Sequence, residues 1–246
     1  MNAYFYFTGF YTLFSFILFI LDIYGSEELI NNKIGNKNRE IMIANYKKIL
    51  KLVAFNVYIL TIPIYFYDDY YTKNYQKEFI FRYEIVKFGL NIAISEILFY
   101  TFHRILHHRK FYKHFHKIHH EFKEPIGMSA LYTHPIDALL GNIIPDGIGL
   151  YLLKSHPITI RIWILGALFF TICVAHSNFK NLSETHDNHH KLTNYNYGNG
   201  FFMDILFGTK YIENVNKKKT LYHALKHSKQ EINSIRKKIK IKTNKK

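Results

Sequence analysis

Histidines are the residues of this sequence with the clearest chemical pattern. Fifteen of the 246 residues are histidine, and they are concentrated in short motifs. These motifs are HRILHH at 103–108, HFHKIHH at 114–120 and HDNHH at 186–190. On a helix, residues three or four positions apart share a face. The spacing therefore predicts three patches of neighbouring imidazoles.

Such patches indicate metal binding, because imidazole is a good ligand for iron, zinc, copper and nickel. One ion takes about four to six ligands, so these histidines are too many for a single ion, and we predict two ions. The predicted ligands are the spaced histidines of the three motifs, the histidine of the sequence THP and the one that ends the last hydrophobic run: His103, His107, His116, His119, His120, His134, His176, His186, His189 and His190.

Other histidines have different predicted roles. His108 is predicted to support the ligands from beside the site, and His114 has a similar position in its motif. His156, His223 and His227 lie outside the pattern and are interpreted as ordinary core or surface histidines.

The sequence lacks residue types that other classes of metal site require, and this limits the kinds of metal site that it can form. The single cysteine, Cys173, excludes an intramolecular disulfide and cysteine-based zinc sites. The sequence has no carboxylate-rich helix pair of the soluble di-iron kind, and a zinc hydrolase would normally need one ion and a general-base carboxylate. A two-ion histidine site beneath a bilayer instead fits oxidation of a lipid C–H bond. No side chain is then needed as a catalytic nucleophile.

The elements that must position these histidines are predicted to be membrane helices. A spanning helix needs about 20 mostly apolar residues, and hydrophobic residues make up 48% of the chain. A soluble helical core is the alternative, because several of the apolar runs are short. Five stretches are candidates for spans: 3–21, 52–67, 88–102, 138–153 and 162–179.

Charge in the loops predicts an orientation. The first stretch lacks a positive n-region and a clear cleavage site, so it is interpreted as a retained anchor and not as a signal peptide. The loop at 25–51 is rich in lysine and arginine, which assigns it to the cytosol by the positive-inside rule. Counting crossings from there puts 103–134 and 176–190 on the same cytosolic face.

The net charge of +15 is concentrated at the end of the chain. Residues 214–246 contain eleven lysines and one arginine against a single acid, Glu231. That segment lacks a recognition motif and aromatic residues at stacking spacing, so nucleic-acid binding is not expected. We interpret 213–246 as a basic cytosolic tail near anionic lipid.

Glu96 is the one charged residue within the stretch 88–102. It precedes His103 by seven positions, so the two share a helix face. A metal-bound histidine usually donates its second N–H to a carboxylate or a carbonyl. We therefore predict that Glu96 accepts from a motif histidine, the alternative being a carboxyl that stays protonated between helices.

The motifs HRILHH, HKIHHEF and HDNHH resemble the three histidine boxes of the sterol desaturase and fatty acid hydroxylase superfamily. The run from His103 to Pro135 is most similar to C-4 methylsterol monooxygenases. This resemblance implies a membrane di-iron enzyme that uses O2, with electrons from NAD(P)H through a cytochrome b5-type partner and its reductase. It also implies location in the endoplasmic reticulum and a sterol or related lipid as substrate.

Some features depart from that pattern. Thr185 stands where many members carry a further histidine, and Met203 replaces a common tryptophan. The segments NYNYG (194–198) and HPID (134–137) look more like C-5 sterol desaturases, and fatty acid hydroxylation is a further alternative. A non-enzymatic metal transporter or storage protein is a rival, although its ligands should lie within the spans.

We therefore predict an all-α integral membrane protein with four or five transmembrane helices and a cytosolic cap that carries the histidine boxes. Residues 1–87 are predicted to form an N-terminal membrane anchor and 88–212 the catalytic domain, followed by the tail at 213–246.

Overall fold

The computed structural model describes residues 2–35 and 37–212, so the basic tail lies outside the described residues. Within those residues the chain is helical, and the β-type pairing is one isolated bridge between Lys33 and Phe179. The prediction of an all-α fold is confirmed. Residues 1–210 form one compact unit, and the division of the chain at residue 87 stays a prediction.

In the part of the chain that the structure describes, four helices are long and apolar enough to cross a membrane: α1 (Ala3–Tyr24), α3 (Arg39–Asn74), α4 (Phe81–Leu106) and α6 (Pro157–Ala175). At 1.5 Å per residue, even the 19 residues of α6 approach the thickness of the hydrocarbon core, which is about 30 Å. Within the apolar windows of these helices, only 22–28% of the residues are buried inside the protein. The remaining apolar surface is therefore available to lipid.

The other helices are shorter. Three of them are α2 (Glu27–Asn31), α5 (Ile144–Leu152) and α7 (Glu184–Leu192). Single turns or short 3₁₀ and π segments make up the rest: Arg109–Phe111, Tyr112–His116, His119–Glu121, Gly127–Leu131, Pro135–Asp137, Ala138–Ile143 and Met203–Leu206.

Local sequence explains where the long helices begin. The Asn2 side chain accepts a hydrogen bond from the backbone of Tyr4 and caps α1. Asn38 accepts from the first turn of α3 in the same way, and His156 caps α6, whose first residue is Pro157. Side-chain acceptors at the N-cap satisfy backbone N–H groups that have no partner in the helix, and proline suits the first helical position.

The fifth predicted span, 138–153, is a broken and shorter element. A π-helical segment, Ala138–Ile143, leads into α5, which contains Pro145 in its first turn. α5 packs closely against α4. The run does not reach the length of a spanning helix, so residues 2–35 and 37–212 contain four candidate spans, the lower of the two predicted numbers.

The core lies where α1 meets α3, α6 and the segment Gly127–Leu131. Tyr11, Ile49, Val53 and Ile172 are among its buried residues. The core therefore joins the N-terminal helices to the part of the chain that carries the histidines.

The end of the helices far from the histidines is held by a buried ion pair. Arg161 of α6 binds both carboxylate oxygens of Asp68 in α3, at 3.0 and 2.7 Å. Asp68 also accepts from the Tyr151 hydroxyl and from the backbone N–H of Ala3. A single carboxylate thus connects α1, α3, α5 and α6 at this end.

We expect Asp68→Asn to destabilise the protein strongly. Removing one partner of a buried ion pair leaves the other charge uncompensated, which costs about 3–5 kcal/mol. The neighbouring substitution Asp69→Asn is the control, because Asp69 pairs with Lys73 at an exposed position. Thermal unfolding in detergent measures both variants. Equal melting temperatures for the two would contradict the assigned role of Asp68.

Candidate metal centre

Nine of the ten predicted ligands come together in two groups. In each group the ring nitrogens that could bind a metal lie within 4.8 Å of one another. The first group has five members, His103, His107, His116, His120 and His189. The second group has four members, His119, His176, His186 and His190. Below they are called the five-histidine group and the four-histidine group.

The second and third motifs are each divided between the two groups. His119 and His120 are adjacent in sequence but belong to different groups, and so do His189 and His190. Adjacent residues in helical backbone point about 100° apart because a turn has about 3.6 residues. A pair of neighbouring histidines can therefore serve two sites on either side of the chain.

The first motif lies at the end of a spanning helix. His103 is in the last turn of α4, and His107 is the residue that caps its C-terminus. The backbone N–H of His107 donates to the carbonyl of His103 at 3.0 Å, so both rings leave the helix end on one side. The length of α4 therefore sets the height of this motif relative to the bilayer.

The second motif does not form the regular helix on which its spacing was interpreted. It consists of a π-helical segment, Tyr112–His116, followed by a 3₁₀ turn, His119–Glu121. The π segment is closed by a bond from Lys117 N–H to the carbonyl of Tyr112 at 2.8 Å. Single π turns inside helices occur often at functional sites, and this one directs His116 towards His103.

The third motif lies on α7, while His176 follows the π-helical end of α6, Phe169–Ala175. Thr193 ends α7 in a left-handed conformation, with φ of 60°, and donates its N–H to the carbonyl of His189. The chain then turns back, so the segment after α7 passes directly over the five-histidine group.

Three rings of the five-histidine group are oriented through Nδ1. His103 donates to the carbonyl of Tyr197 at 2.7 Å, and His189 donates to that of Tyr195 at 2.6 Å. His116 donates to the carboxylate of Asp137 at 2.7 Å. An acceptor at Nδ1 fixes the proton there and leaves Nε2 free to bind a metal.

Two rings of the four-histidine group are held in the same way. His176 Nδ1 lies 2.7 Å from the carbonyl of Thr171, and His190 Nδ1 lies 2.9 Å from that of Phe122. Their Nε2 atoms also point towards the group, where the Nε2 of His186 is 3.1 Å from each of them.

The arrangement of the ring nitrogens suits binding of a metal ion better than hydrogen bonding between the rings. His103 and His116 have their protons on Nδ1, yet their Nε2 atoms are only 3.1 Å apart. The Nε2 atoms of His107 and His189 have the same separation. Two unprotonated nitrogens repel each other, and a cation between them removes the repulsion. Imidazole sets of this kind suit transition metals such as iron.

Burial keeps these rings neutral. It lowers the pKa of His107, His116, His186 and His190 well below the usual histidine range, and neighbouring imidazoles lower it further. The pKa of His176 falls to about 4 through burial. A neutral ring is the form that binds metal, so the site is prepared for an ion at neutral pH.

His134 and His108 lie outside both groups. His134 accepts at Nδ1 from the backbone of Ile136, and its ring packs against Phe115. His108 is exposed and accepts at Nδ1 from the backbone of Lys110. Each of these histidines caps a short helical turn.

Glu96 is fully buried but contacts a loop, not a histidine. Its oxygens accept backbone N–H bonds from Asn199, Phe202 and Met203 at 2.8–3.3 Å. That loop begins beside Tyr197, whose carbonyl holds His103. Glu96 therefore acts one step further from the histidines than the sequence suggested.

Asp137 is the supporting residue that the sequence did not reveal. In the sequence, Asp137 is notable only as part of the segment HPID, which resembles C-5 sterol desaturases. The available signal is a carboxylate three residues after His134, at the start of an apolar stretch. Burial raises the pKa of Asp137 to about 7. The carbonyls of Tyr195, Tyr197 and Phe122 have no sequence signature, because any residue type can supply a backbone acceptor.

A cavity of about 270 Å³ adjoins both histidine groups. Rings of the five-histidine group and of the four-histidine group line it, together with apolar side chains that include Phe99, Phe170, Val174 and Leu182. Phe99 belongs to α4 and Phe170 and Val174 to α6, so the cavity lies between two spanning helices. An apolar molecule within it would lie beside the imidazoles.

We expect Gly141→Ala to weaken metal binding by the five-histidine group. A Cβ at position 141 would lie 2.5 Å from Oδ1 of Asp137, so the carboxylate that orients His116 must move. Loss of such support typically lowers metal affinity by about 10–100-fold. Gly147→Ala is the matched control, because nothing lies within 4 Å of a Cβ there. Chelator competition measures both, and equal affinities would contradict this role of Asp137.

We expect acidification to destabilise the metal-free protein and to release bound metal. A histidine whose pKa is lowered by folding binds more protons when unfolded, so stability falls as the pH drops below about 6.5. Burial raises the pKa of Asp187 to about 6 and that of Asp137 to about 7, which acts in the opposite direction, but the buried histidines are more numerous. Melting temperatures and bound metal are compared at pH 7.5 and pH 5. An unchanged melting temperature would contradict the neutral buried rings.

Comparison with known proteins gives the class of this chain. Residues 88–209 match the family model of the fatty acid hydroxylases. This region carries every histidine of the two groups. With its four candidate spanning helices, the chain is an integral membrane protein that belongs to the fatty acid hydroxylase superfamily.

Its similar relatives include several lipid enzymes. The chain is 32% identical over 211 residues to fatty acid hydroxylase domain-containing protein 2 of Homo sapiens. The aligned region covers 81% of this chain and 63% of that protein. It is 34% identical over 183 residues to methylsterol monooxygenase 1 of Rattus norvegicus, covering 66% and 61% respectively. The chain thus spans less than two thirds of these relatives. No solved structure matches it.

Proposed function

We propose that this protein is a di-iron oxidoreductase that uses O2 to oxidise a C–H bond of a membrane sterol or related lipid. The preferred reaction is that of a C-4 methylsterol monooxygenase. The observation that carries this proposal is the convergence of nine buried or half-buried histidines in two groups beside an apolar cavity.

One ion would be held by His103, His107, His116, His120 and His189, and the other by His119, His176, His186 and His190. Bound iron supplies activation of O2 for attack on an unactivated C–H bond. Each group contains histidine alone, without a carboxylate. The nine rings contribute no negative charge, so ions held by them would keep their full positive charge.

The side chains of this protein would position the substrate and exclude water. Because the cavity touches rings of both groups, a lipid carbon in it would lie close to both sets of histidines. The apolar walls keep bulk water from the reaction. In hydroxylation, one oxygen atom of O2 enters the C–H bond and the other leaves as water, with two protons and two electrons supplied from outside.

The electrons are proposed to come from NAD(P)H through a cytochrome b5-type protein and its reductase. This requires that the histidine end of the helices faces the cytosol, as it would in the endoplasmic reticulum. The loop before α3 supports that orientation, since Lys33 and Ile34 contact the segment after His176. The segment that joins the first two motifs also has basic residues, which favour the cytosolic side.

Two alternatives remain within the same superfamily, namely C-5 desaturation of a sterol and hydroxylation of a fatty acid. The second is supported by 32% identity over 181 residues to fatty acid hydroxylase ahd1 of Mycosarcoma maydis. A non-enzymatic metal-binding protein is less well supported, because storage or transport of an ion needs no apolar cavity beside the ligands.

We expect His119→Ala and His189→Ala to abolish oxidation and each to lower the metal content, since each removes a ligand from a different group. Membrane insertion should be retained because neither residue belongs to a spanning helix. His114→Ala is the control, as His114 is exposed and lies in the same motif as His119. Metal analysis and turnover measure all three. Turnover near wild type in either ligand variant would refute the two-ion assignment.

The substrate is tested by expressing the chain in a host that lacks C-4 methylsterol oxidation and profiling its lipids. Restored removal of 4-methyl groups would support the preferred reaction. A new C-5 double bond or a hydroxylated fatty acid would favour one of the two alternatives, and an unchanged profile with a metal-loaded protein would refute lipid oxidation in that host.

A further inference from the structure

The loop between α1 and α3 lies outside residues 88–209, the region that matches the family model. It nevertheless contacts the segment that follows His176, a member of the four-histidine group. Residues 31–35 run beside 177–180, directly after His176. We call residues 31–35 the strap. Three sets of contacts join the strap to this segment. They are made by the buried side chain of Lys33, by backbone hydrogen bonds, and by the side chain of Asn178, which also contacts α7.

Lys33 is buried, with 2% of its side chain exposed. Its ammonium forms an ion pair with Asp22 near the end of α1, and Asp22 also accepts from the hydroxyl of Tyr46 at 2.8 Å. The same ammonium donates to the carbonyl of Ser177 at 3.1 Å and lies 4.7 Å from the centre of the Phe179 ring. Ser177 is the residue that follows His176.

Backbone bonds hold the strap against this segment. The N–H of Ile34 donates to the carbonyl of Asn178, and the N–H of Lys180 donates to that of Asn32, both at 2.9 Å. Asn178 has a φ of 61°, a left-handed conformation that asparagine tolerates better than most residues. The strap is therefore paired with the chain that leads away from His176.

Asn178 extends the connection to the third motif. Its side-chain oxygen accepts from the N–H of Gly35, and its side-chain nitrogen donates to Asp187 at 3.3 Å. Asp187 is the neighbour of His186 on α7 and also accepts from the hydroxyl of Ser183 at 2.6 Å. Two ligands of one group, His176 and His186, thus lie next to residues that the strap fixes.

We propose that Lys33 is a positioning residue for the four-histidine group, and that the strap is part of the metal site. This inference rests on the proposed function, in which that group holds one of two ions. Residues 88–209 alone would then lack one of the contacts that fix His176.

The chemistry of the pair supports a positioning role. A buried ion pair is often no more stabilising than apolar residues of the same volume, so its main contribution is a defined geometry. Lys33 supplies three donors in one place, and two of them are used by groups on different segments, Asp22 and Ser177. An apolar side chain could fill this space but could not hold the Ser177 carbonyl.

The effect should be confined to one ion. The rings of the five-histidine group that have Nδ1 partners are held by Asp137, Tyr195 and Tyr197, none of which contacts Lys33. A variant at Lys33 should therefore bind one ion normally and the other weakly.

The test is titration of the full-length, metal-free protein in detergent with Co²⁺, followed by the absorption bands of the bound ion. Wild type is expected to bind two Co²⁺ per chain. Lys33→Met should bind one with unchanged affinity and the second at least 10-fold more weakly, and Lys33→Arg should restore much of this loss. Lys47→Met is the control, because Lys47 is an exposed lysine of α3 outside the strap.

Two double variants separate positioning from folding. Asp22→Asn with Lys33→Met removes both charges, so the fold is relieved of an unpaired carboxylate while the bond to Ser177 is still missing. It should still bind one Co²⁺ tightly. Lys33→Met with His119→Ala should still bind one Co²⁺ as tightly as Lys33→Met alone, because both changes affect the same group.

Two tight ions in either Lys33→Met or the neutral double variant would overturn the inference while leaving the proposed function intact. Equal weakening of both ions in the neutral double variant would also overturn it, since the effect would not be specific to one group. A wild-type protein that binds no Co²⁺ would refute the metal assignment itself and the inference with it.

Discussion

The structure depends on one constraint, which is that nine imidazole rings, brought together in two groups, must remain neutral. Burial opposes the charged form of each ring, and neighbouring rings add to that effect. Acceptors at Nδ1 then determine which nitrogen carries the proton. In His103, His116 and His176 the free Nε2 is thereby turned inward. Without those acceptors the rings could turn, and close approach of their nitrogens would be unfavourable.

This constraint explains the irregular backbone around the site. Regular α-helix places side chains in stripes along one side, whereas each of the two histidine groups takes rings from several directions. The π segments Tyr112–His116, Ala138–Ile143 and Phe169–Ala175 each carry or adjoin a ligand or a supporting residue. The loop after α7 supplies carbonyls to two rings and is itself held by Glu96. Irregular structure is thus concentrated where the ligands must converge.

The membrane helices fix the height and the surroundings of the site. α4 and α6 both end at the histidines, and the opposite end of α6 is tied to α3 through the buried pair of Arg161 and Asp68. Because the cavity lies between these two helices, the site has an apolar side that faces the bilayer and a polar side that carries the histidines. A lipid can approach such a site without leaving the membrane. The same arrangement brings the N-terminal strap against the segment after His176.

The sequence by itself determined the all-α fold, four of the spanning stretches, the superfamily and the three motifs, because hydrophobic runs and His-x-x-His-His spacing are local patterns. The number of ions, predicted from the sequence as two, stays a prediction. Only the tertiary structure decided how the histidines are shared, since His119 and His120 join different groups through contacts with distant segments. The carboxylate of Asp137, the carbonyls at Nδ1 and the contact of Lys33 with Ser177 are equally invisible in the sequence. These contacts depend on which distant segments of the chain the fold brings together, and the residue types alone do not specify that.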